Sequence, residues 1–369
     1  MELIATAAFG LEGVVKQELK ELGFSAKAEQ GGARFESDLT GAFKANLWLA
    51  CADRVLWILG EQKVTSFETL FDFVSSIPFE NILPRDAAFP VSGNCVRSQL
   101  MSVSDCQRIT KKAIVERLKQ KYKVNWFPET GSHYPFTITL HKDTARLTLD
   151  TSGEALNKRG YRTWVSEAPL RETLAAALIR LSPWTPEQAL VDPCCGSGTL
   201  LIEAAFMAMN RASGLNRSFI MENWDQTNHA ACEQLREQAK QLFMPEAQFE
   251  IQGSDISPEA LSLCKRHLRQ AGLHDSIRIA QSDLKDFHLA RNKICFITNP
   301  PYGERLGNRQ EAAKIARALG DLKRTHPGAA LCVITADPSF EKHAQCRADS
   351  RRRLYNGRLE CEFLVMKGD

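Results

Sequence analysis

Short strand-like runs and amphipathic helical segments succeed one another along the chain, and their arrangement divides it. Up to about residue 60, strand-like runs flank the amphipathic segment from Leu11 to Leu22, which predicts a small α/β module. Between about 61 and 150, the segment Ser104 to Leu118 carries apolar residues near helical spacing. The strand candidates Phe136 to Leu140 and Ala145 to Asp150 follow, joined by a short polar turn, and read as a hairpin. Residues 151–166 are turn-rich and basic and predict a linker. From 167 onward strand and helix patterns alternate, with strand candidates ending near 192, 255, 283, 299 and 336 and a final run from Leu359 to Met366. That alternation predicts an α/β, doubly wound, mostly parallel sheet, with sites gathered at the carboxyl ends of its strands.

Composition bounds the setting. A length of 369 residues with 44% hydrophobic and 25% charged residues allows more than one domain with its own core. No apolar run reaches membrane-spanning length, and Met1 to Ala7 lack the basic flank and apolar stretch of a signal peptide, so a cytoplasmic location is expected. The eleven cysteines are scattered without Cys-x-x-Cys or accompanying His spacing, which indicates neither a zinc site nor a disulfide framework.

A formal net charge of +3 says little about partners, but its distribution says more. Between Arg97 and Lys123 the chain carries Arg97, Arg108, Lys111, Lys112, Arg117, Lys119, Lys121 and Lys123 against only Asp105 and Glu116. A solvated helix face accounts for such a run. An excess of cations on one face is equally suited to phosphates, which makes Arg97, Arg108, Lys111 and Lys112 candidate RNA contacts.

The candidate chemistry lies in Asn299-Pro300-Pro301-Tyr302, at the end of the apolar run from Ile294 to Ile297. The amino nitrogen of a nucleobase or carboxamide is a poor nucleophile because its lone pair is delocalised. An Asn oxygen and the carbonyl of the following Pro can accept both N–H bonds and turn the lone pair toward an electrophile, while the Tyr ring stacks on the base. Pro301 restricts Pro300 to an extended conformation, which stiffens the turn. A proline-rich turn after a strand is the alternative for these residues taken alone.

Upstream, Asp192-Pro193-Cys194-Cys195-Gly196-Ser197-Gly198-Thr199 reads as strand, glycine-rich turn and helix. Gly196 and Gly198 allow a tight turn and close approach to a nucleotide. Position 201, where a dinucleotide fingerprint needs a third glycine, is Leu, and no Gly-Lys-Ser/Thr follows. Asp192 instead suits a cationic ligand group, and S-adenosylmethionine, with its sulfonium and α-ammonium groups, supplies the missing electrophile. Asp255 ends a second strand and would accept from the ribose hydroxyls, with Ile256 against the adenine, and Asp283 would accept from the adenine amino group. Each acid alone reads equally as a helix cap or turn residue. Cys194 and Cys195 are read as small packing residues of the turn.

With these motifs, and Ala168-Pro169-Leu170-Arg171-Glu172-Thr173 and Asn299-Pro300-Pro301-Tyr302-Gly303-Glu304-Arg305-Leu306, the chain resembles the THUMP-domain RlmL/YpsC family of class I methyltransferases. The resemblance implies a ferredoxin-like module over 1–60, a THUMP RNA-binding domain over 61–150, and a Rossmann-like methyltransferase domain over 167–369 whose last strand is antiparallel. It implies S-adenosylmethionine as cofactor, S-adenosylhomocysteine as product, and no metal. Glu172 and Thr173 would close over the cofactor, although capping of a helix accounts for them as well, and Arg305 would contact RNA phosphate or anchor its loop. The expected reaction is transfer of methyl to an exocyclic base amine, guanine N2 in 23S rRNA or a large-subunit precursor. A guanine of tRNA is the alternative substrate, and a catalytically inactive RNA-binding assembly factor is the alternative of another class. Long RlmL proteins carry a second methyltransferase domain, so a chain ending at Asp369 resembles the short YpsC branch. Residues 211–228 look like an insertion that forms either a substrate wall or a structural loop.

Overall fold

The computed structural model describes residues 1–162, 170–284, 293–301 and 309–368. Its first sheet is built from β1 (Glu2–Thr6), β2 (Ala26–Glu29), β3 (Gly32–Glu36), β4 (Arg54–Lys63), β5 (Val91–Val96), β6 (Phe136–His141) and β7 (Thr144–Asp150), in the order β2-β3-β1-β4-β7-β6-β5. The expected hairpin is β6–β7, antiparallel from Phe136 opposite Leu149 to His141 opposite Thr144. β4 pairs with β1 on one side and β7 on the other, so the boundary expected at residue 60 falls inside a strand shared by both halves of one sheet. Helices α1 (Glu12–Glu21), α2 (Leu39–Trp48), α3 (Phe67–Ser75) and α4 (Val103–Tyr122) accompany it. Ser102 caps α4 through the Asp105 N–H, and Cys106, Ala113, Ile114 and Leu118 form its buried stripe.

The second sheet comprises β8 (Ala189–Asp192), β9 (Ile251–Asp255), β10 (Arg278–Gln281), β11 (Ile294–Thr298), β12 (Ala330–Thr335), β13 (Ser350–Asn356) and β14 (Leu359–Met366), in the order β10-β9-β8-β11-β12-β14-β13. The strands from β10 to β12 run parallel, and β14 lies antiparallel to β12. The sheet carries α5 (Glu172–Leu181), α6 (Thr199–Ala208), α7 (His229–Leu242), α8 (Pro258–Ala271), α9 (Arg309–Thr325) and α10 (Phe340–Ala344). β8, β11 and β12 are buried along their whole length, as strands covered on both faces require. The strand β13 was not expected. Arg351, Arg352 and Arg353 are exposed on the sheet edge, where charge discourages further pairing, and this masks the alternation that would mark a strand.

One apolar core runs from Leu3 in the first sheet through Leu190 and Phe363 in the second, so the two halves are fused. The segment 211–228 fastens them. Trp224 is fully buried and stacks on Tyr134 with ring centroids 4.9 Å apart, and its Nε1 donates to the His133 carbonyl at 2.8 Å. The Gly214 N–H donates to the Leu47 carbonyl, and the Arg217 guanidinium donates to the carbonyls of Glu154, Ala155 and Lys158. Of the two expectations for this insertion, its contacts match the structural loop. Arg159 adds a buried ion pair with Glu203 of α6 at 2.6 Å. No helix among the described residues is long and apolar enough to cross a membrane.

Candidate active site

Four strand ends meet at the carboxyl edge of the second sheet. Asp192 ends β8 opposite Gly253 of β9, Asp255 ends β9 opposite Gln281 of β10, and Asn299 follows Thr298 of β11. The turn after β8 needs its glycines. Gly196 (φ +52°) and Gly198 (φ +82°) adopt left-handed backbone, and a Cβ on Gly198 would come within 2.5 Å of Cys264 Sγ. Leu201, in place of a third glycine, fits because β9 offers Gly253, whose own Cβ would come within 2.5 Å of the Leu201 side chain.

Hydrogen bonds tie the turn to its neighbours. The Gly196 N–H donates to Asp255 Oδ2 at 2.8 Å, and the Ser257 N–H donates to Asp255 Oδ1 at 2.9 Å. The Cys195 N–H donates to the Ser254 carbonyl. Asp192 is buried and its Oδ1 accepts from the Cys194 N–H at 3.1 Å and from the Thr298 hydroxyl at 2.7 Å. Thr298 therefore joins the glycine-rich turn directly to the Asn299 segment. It escaped sequence reasoning because it reads as the end of an apolar strand; its place beside Asn299 was the available signal.

Burial pushes the Asp192 carboxyl up to about 7, against the two hydrogen bonds it accepts and with the negative charge of Asp255 adding to the effect. The site thus holds a carboxylate in surroundings that favour an incoming cation. Burial likewise raises the Cys194 thiol, and contact with the Cys264 thiol together with burial raises Cys195, so both remain neutral packing groups. Ile256 is 66% exposed beside Asp255, an apolar side chain left open at the strand ends, and the Gln281 side chain fixes its carbonyl at 3.2 Å. Asp283 lies half-buried two residues past β10. Pro193 and Pro300 bracket the edge, Pro300 buried and Asn299 half-buried. The Asn299 Oδ1 atom is buried with no hydrogen-bond partner among the described residues. A buried acceptor left this way is costly unless a donor arrives.

Other expected residues are placed differently. The Glu172 carboxylate is buried against Asn157 Nδ2 at 3.3 Å and Arg162 Nε at 3.4 Å, and Arg162 in turn donates to the Thr199 hydroxyl at the start of α6. The Thr173 hydroxyl donates to Asp53 at 3.0 Å. Both side chains are engaged in joining α5 to its surroundings. Lys111 is also committed: it pairs with Glu129 at 2.7 Å, donates to the Phe89 carbonyl and lies 3.6 Å from the Phe89 ring centroid. Arg108 pairs with Asp105, Arg117 with Glu80 and Lys119 with Glu116, so the basic run is compensated by acids that the local count understated. Arg97 and Lys112 are exposed. Tyr302 and Arg305 lie outside the described residues.

Comparison with known proteins bears on this arrangement. The family described as RMKL-like, methyltransferase domain, matches residues 159–364, more than half the chain. The chain belongs to the RMKL-like methyltransferase family. An RlmL ferredoxin-like domain matches residues 2–56 and a THUMP domain residues 64–150. Among RMKL-like relatives, YpsC of Bacillus subtilis (strain 168), a candidate RNA methyltransferase, is 39% identical over 98% of this chain and 94% of its own length. Ribosomal RNA large subunit methyltransferase K/L of Syntrophotalea carbinolica is 33% identical over 99% of this chain, which spans 53% of that protein. SMU.472, a candidate methyltransferase crystallised with SAH, superposes with a TM-score of 0.96 at 37% identity, covering 100% of this chain and 98% of its own.

Proposed function

We propose that this RMKL-like methyltransferase uses S-adenosylmethionine to methylate an exocyclic base amine of RNA, guanine N2 of 23S rRNA. The observation that carries the reading is the buried Oδ1 of Asn299, unpartnered among the described residues, at the carboxyl end of β11, one residue from the Thr298 hydroxyl that is bonded to Asp192. A buried acceptor that the described residues leave unsatisfied suits an N–H donor that arrives with substrate. The residues present also fit the cofactor. Asp192 offers a carboxylate for its ammonium group, Gly196 leaves open space where a Cβ would project, Asp255 ends β9 and Asp283 follows β10 where they would accept from the nucleoside, and Ile256 offers an exposed apolar surface to the adenine. The SAH held by SMU.472 supports the same assignment.

S-adenosylmethionine supplies a methyl group on a positively charged sulfur. Asn299 Oδ1 and the Pro300 carbonyl accept the two N–H bonds of the amine, orienting its lone pair for in-line attack, and Tyr302 stacks on the base. The nitrogen–methyl bond would form as the methyl–sulfur bond breaks, its electron pair leaving neutral S-adenosylhomocysteine and the amine proton passing to solvent, without a covalent bond to the protein. A target base in a duplex has to be flipped out to reach this edge. The THUMP match, the RNA named for YpsC and the large-subunit RNA named for the K/L relative support the substrate. Trp126, 73% exposed beside Lys123, adds a stacking surface on the THUMP side. Asn299→Ala tests the reading. Methyl transfer should fall by roughly 100-fold or more, as on loss of a group that contacts the reacting atoms, while binding of S-adenosylmethionine by calorimetry persists. Near-normal turnover would refute it.

A further inference from the structure

A cleft opens where the N-terminal module meets the catalytic sheet. It encloses about 400 Å³ and is lined by Phe9, Asp53, Arg171, Thr173, Tyr355 and Gly357, among others. Phe9 is 54% exposed and packs edge-on against Tyr355, with ring centroids 5.7 Å apart. The cleft is built rather than accidental. The loop at Gly10 (φ +89°) runs so close to β13 that a Cβ there would lie 2.4 Å from the Arg353 carbonyl oxygen, and the Arg352 guanidinium donates to the Gly10 carbonyl at 3.1 Å. Asp53 is hydrogen-bonded to Thr173, and the Tyr355 hydroxyl donates to Glu360. Arg171 is exposed in the lining, Arg352, Arg353 and Arg358 are exposed on β13 and the turn after it, and the acids here are Asp53 in the lining and Glu360, 3.6 Å from Arg353.

The position relative to Asn299 follows from the sheet. β13 is antiparallel to β14, which is antiparallel to β12, so β13 runs with β11 and ends at the same carboxyl edge. Three strand spacings separate β13 from β11, about 14 Å, a distance that a few nucleotides span. The volume lies at the small end of ligand pockets and suits one nucleobase. Aromatic faces interleaved with arginines are how proteins hold unpaired nucleotides.

The geometry points to this cleft as a subsite for one unpaired nucleotide a few positions along the strand from the target base, its base on Phe9 and Tyr355 and its phosphates against Arg171 and the β13 arginines. The inference rests on the reading of the chain as an RNA methyltransferase and adds a contact outside the THUMP region. The test uses the full chain, S-adenosylmethionine and total RNA from a strain lacking the protein. Phe9→Ala should raise the apparent KM for RNA roughly 5- to 100-fold, the range for loss of one base stack, with kcat at saturating RNA, cofactor affinity and melting temperature unchanged. Phe9→Trp should restore the wild-type KM. An unchanged KM in Phe9→Ala, with active wild-type protein, overturns the subsite alone. Absence of methylation by the wild-type protein overturns the functional reading and the subsite with it.

Discussion

Replacing Asp192 by asparagine should stabilise the free protein and weaken cofactor binding at once, a combination that a merely structural carboxylate would not give. Burial and the neighbouring Asp255 move its carboxyl from 3.8 to about 7, a displacement worth about 4 kcal/mol. Because the folded value lies above the unfolded one, the folded chain holds the proton more tightly. The associated stability is present in full below 3.8 and is lost as pH rises through about 7. At pH 8 the native state therefore carries an ionised carboxylate at a cost approaching that figure. The asparagine side chain keeps an Oδ1 acceptor for the Thr298 hydroxyl and the Cys194 N–H but carries no charge. Asp192→Asn should raise the melting temperature at pH 8 by about 5 °C or more, with a smaller gain at pH 5. Wild-type affinity for S-adenosylmethionine should strengthen from pH 6 to pH 8, and the variant should lose that dependence and bind about tenfold more weakly, near 1.4 kcal/mol. Thermal melts across pH with calorimetric titration decide it. A variant less stable than wild type at pH 8, or one with unchanged affinity, would refute the reasoning.

The basic run from Arg97 to Lys123 and the segment 211–228 offer two further tests. Arg97→Ala and Lys112→Ala should each weaken RNA binding and lower the slope of log K against log salt by about 1, whereas Lys111→Ala should lower the melting temperature with little change in that slope, since Lys111 is bound to Glu129 and Phe89. Equal salt slopes for all three variants would contradict this division. Trp224→Ala removes a fully buried ring stacked on Tyr134 and should cost about 3–5 kcal/mol, read as a fall in denaturant midpoint; an unchanged midpoint would show that the segment 211–228 does not fasten the two halves.

The alternating half of the chain was the most legible, because strands alternate regularly with helices there and the buried strands β8, β11 and β12 are continuous apolar runs. Asp192 and Asn299 could be placed at one sheet edge from those runs, and Asp255 from the alternation of strands and helices. What escaped depends on partners distant in sequence. Glu80 and Glu129 neutralise Arg117 and Lys111 from outside the helix that was counted, so its face looked barer than it is. Trp224 gives no local sign that its ring lies on Tyr134, and Glu172 none that it is buried against Arg162 and Asn157. β13 escaped because an edge strand bearing three arginines has lost the apolar alternation by which strands are found. Nor does a motif reveal that the Asn299 oxygen is buried and, among the described residues, without a hydrogen-bond partner.

The central claim is that this edge delivers a methyl group to a base amine in RNA. Incubation of the protein with isotope-labelled S-adenosylmethionine and total RNA from a strain lacking it, followed by digestion and separation of the nucleosides, tests that claim most directly. The account predicts label in N2-methylguanosine from the large-subunit RNA fraction, abolished by Asn299→Ala. Label in no RNA nucleoside, or equal labelling by the variant, would contradict it.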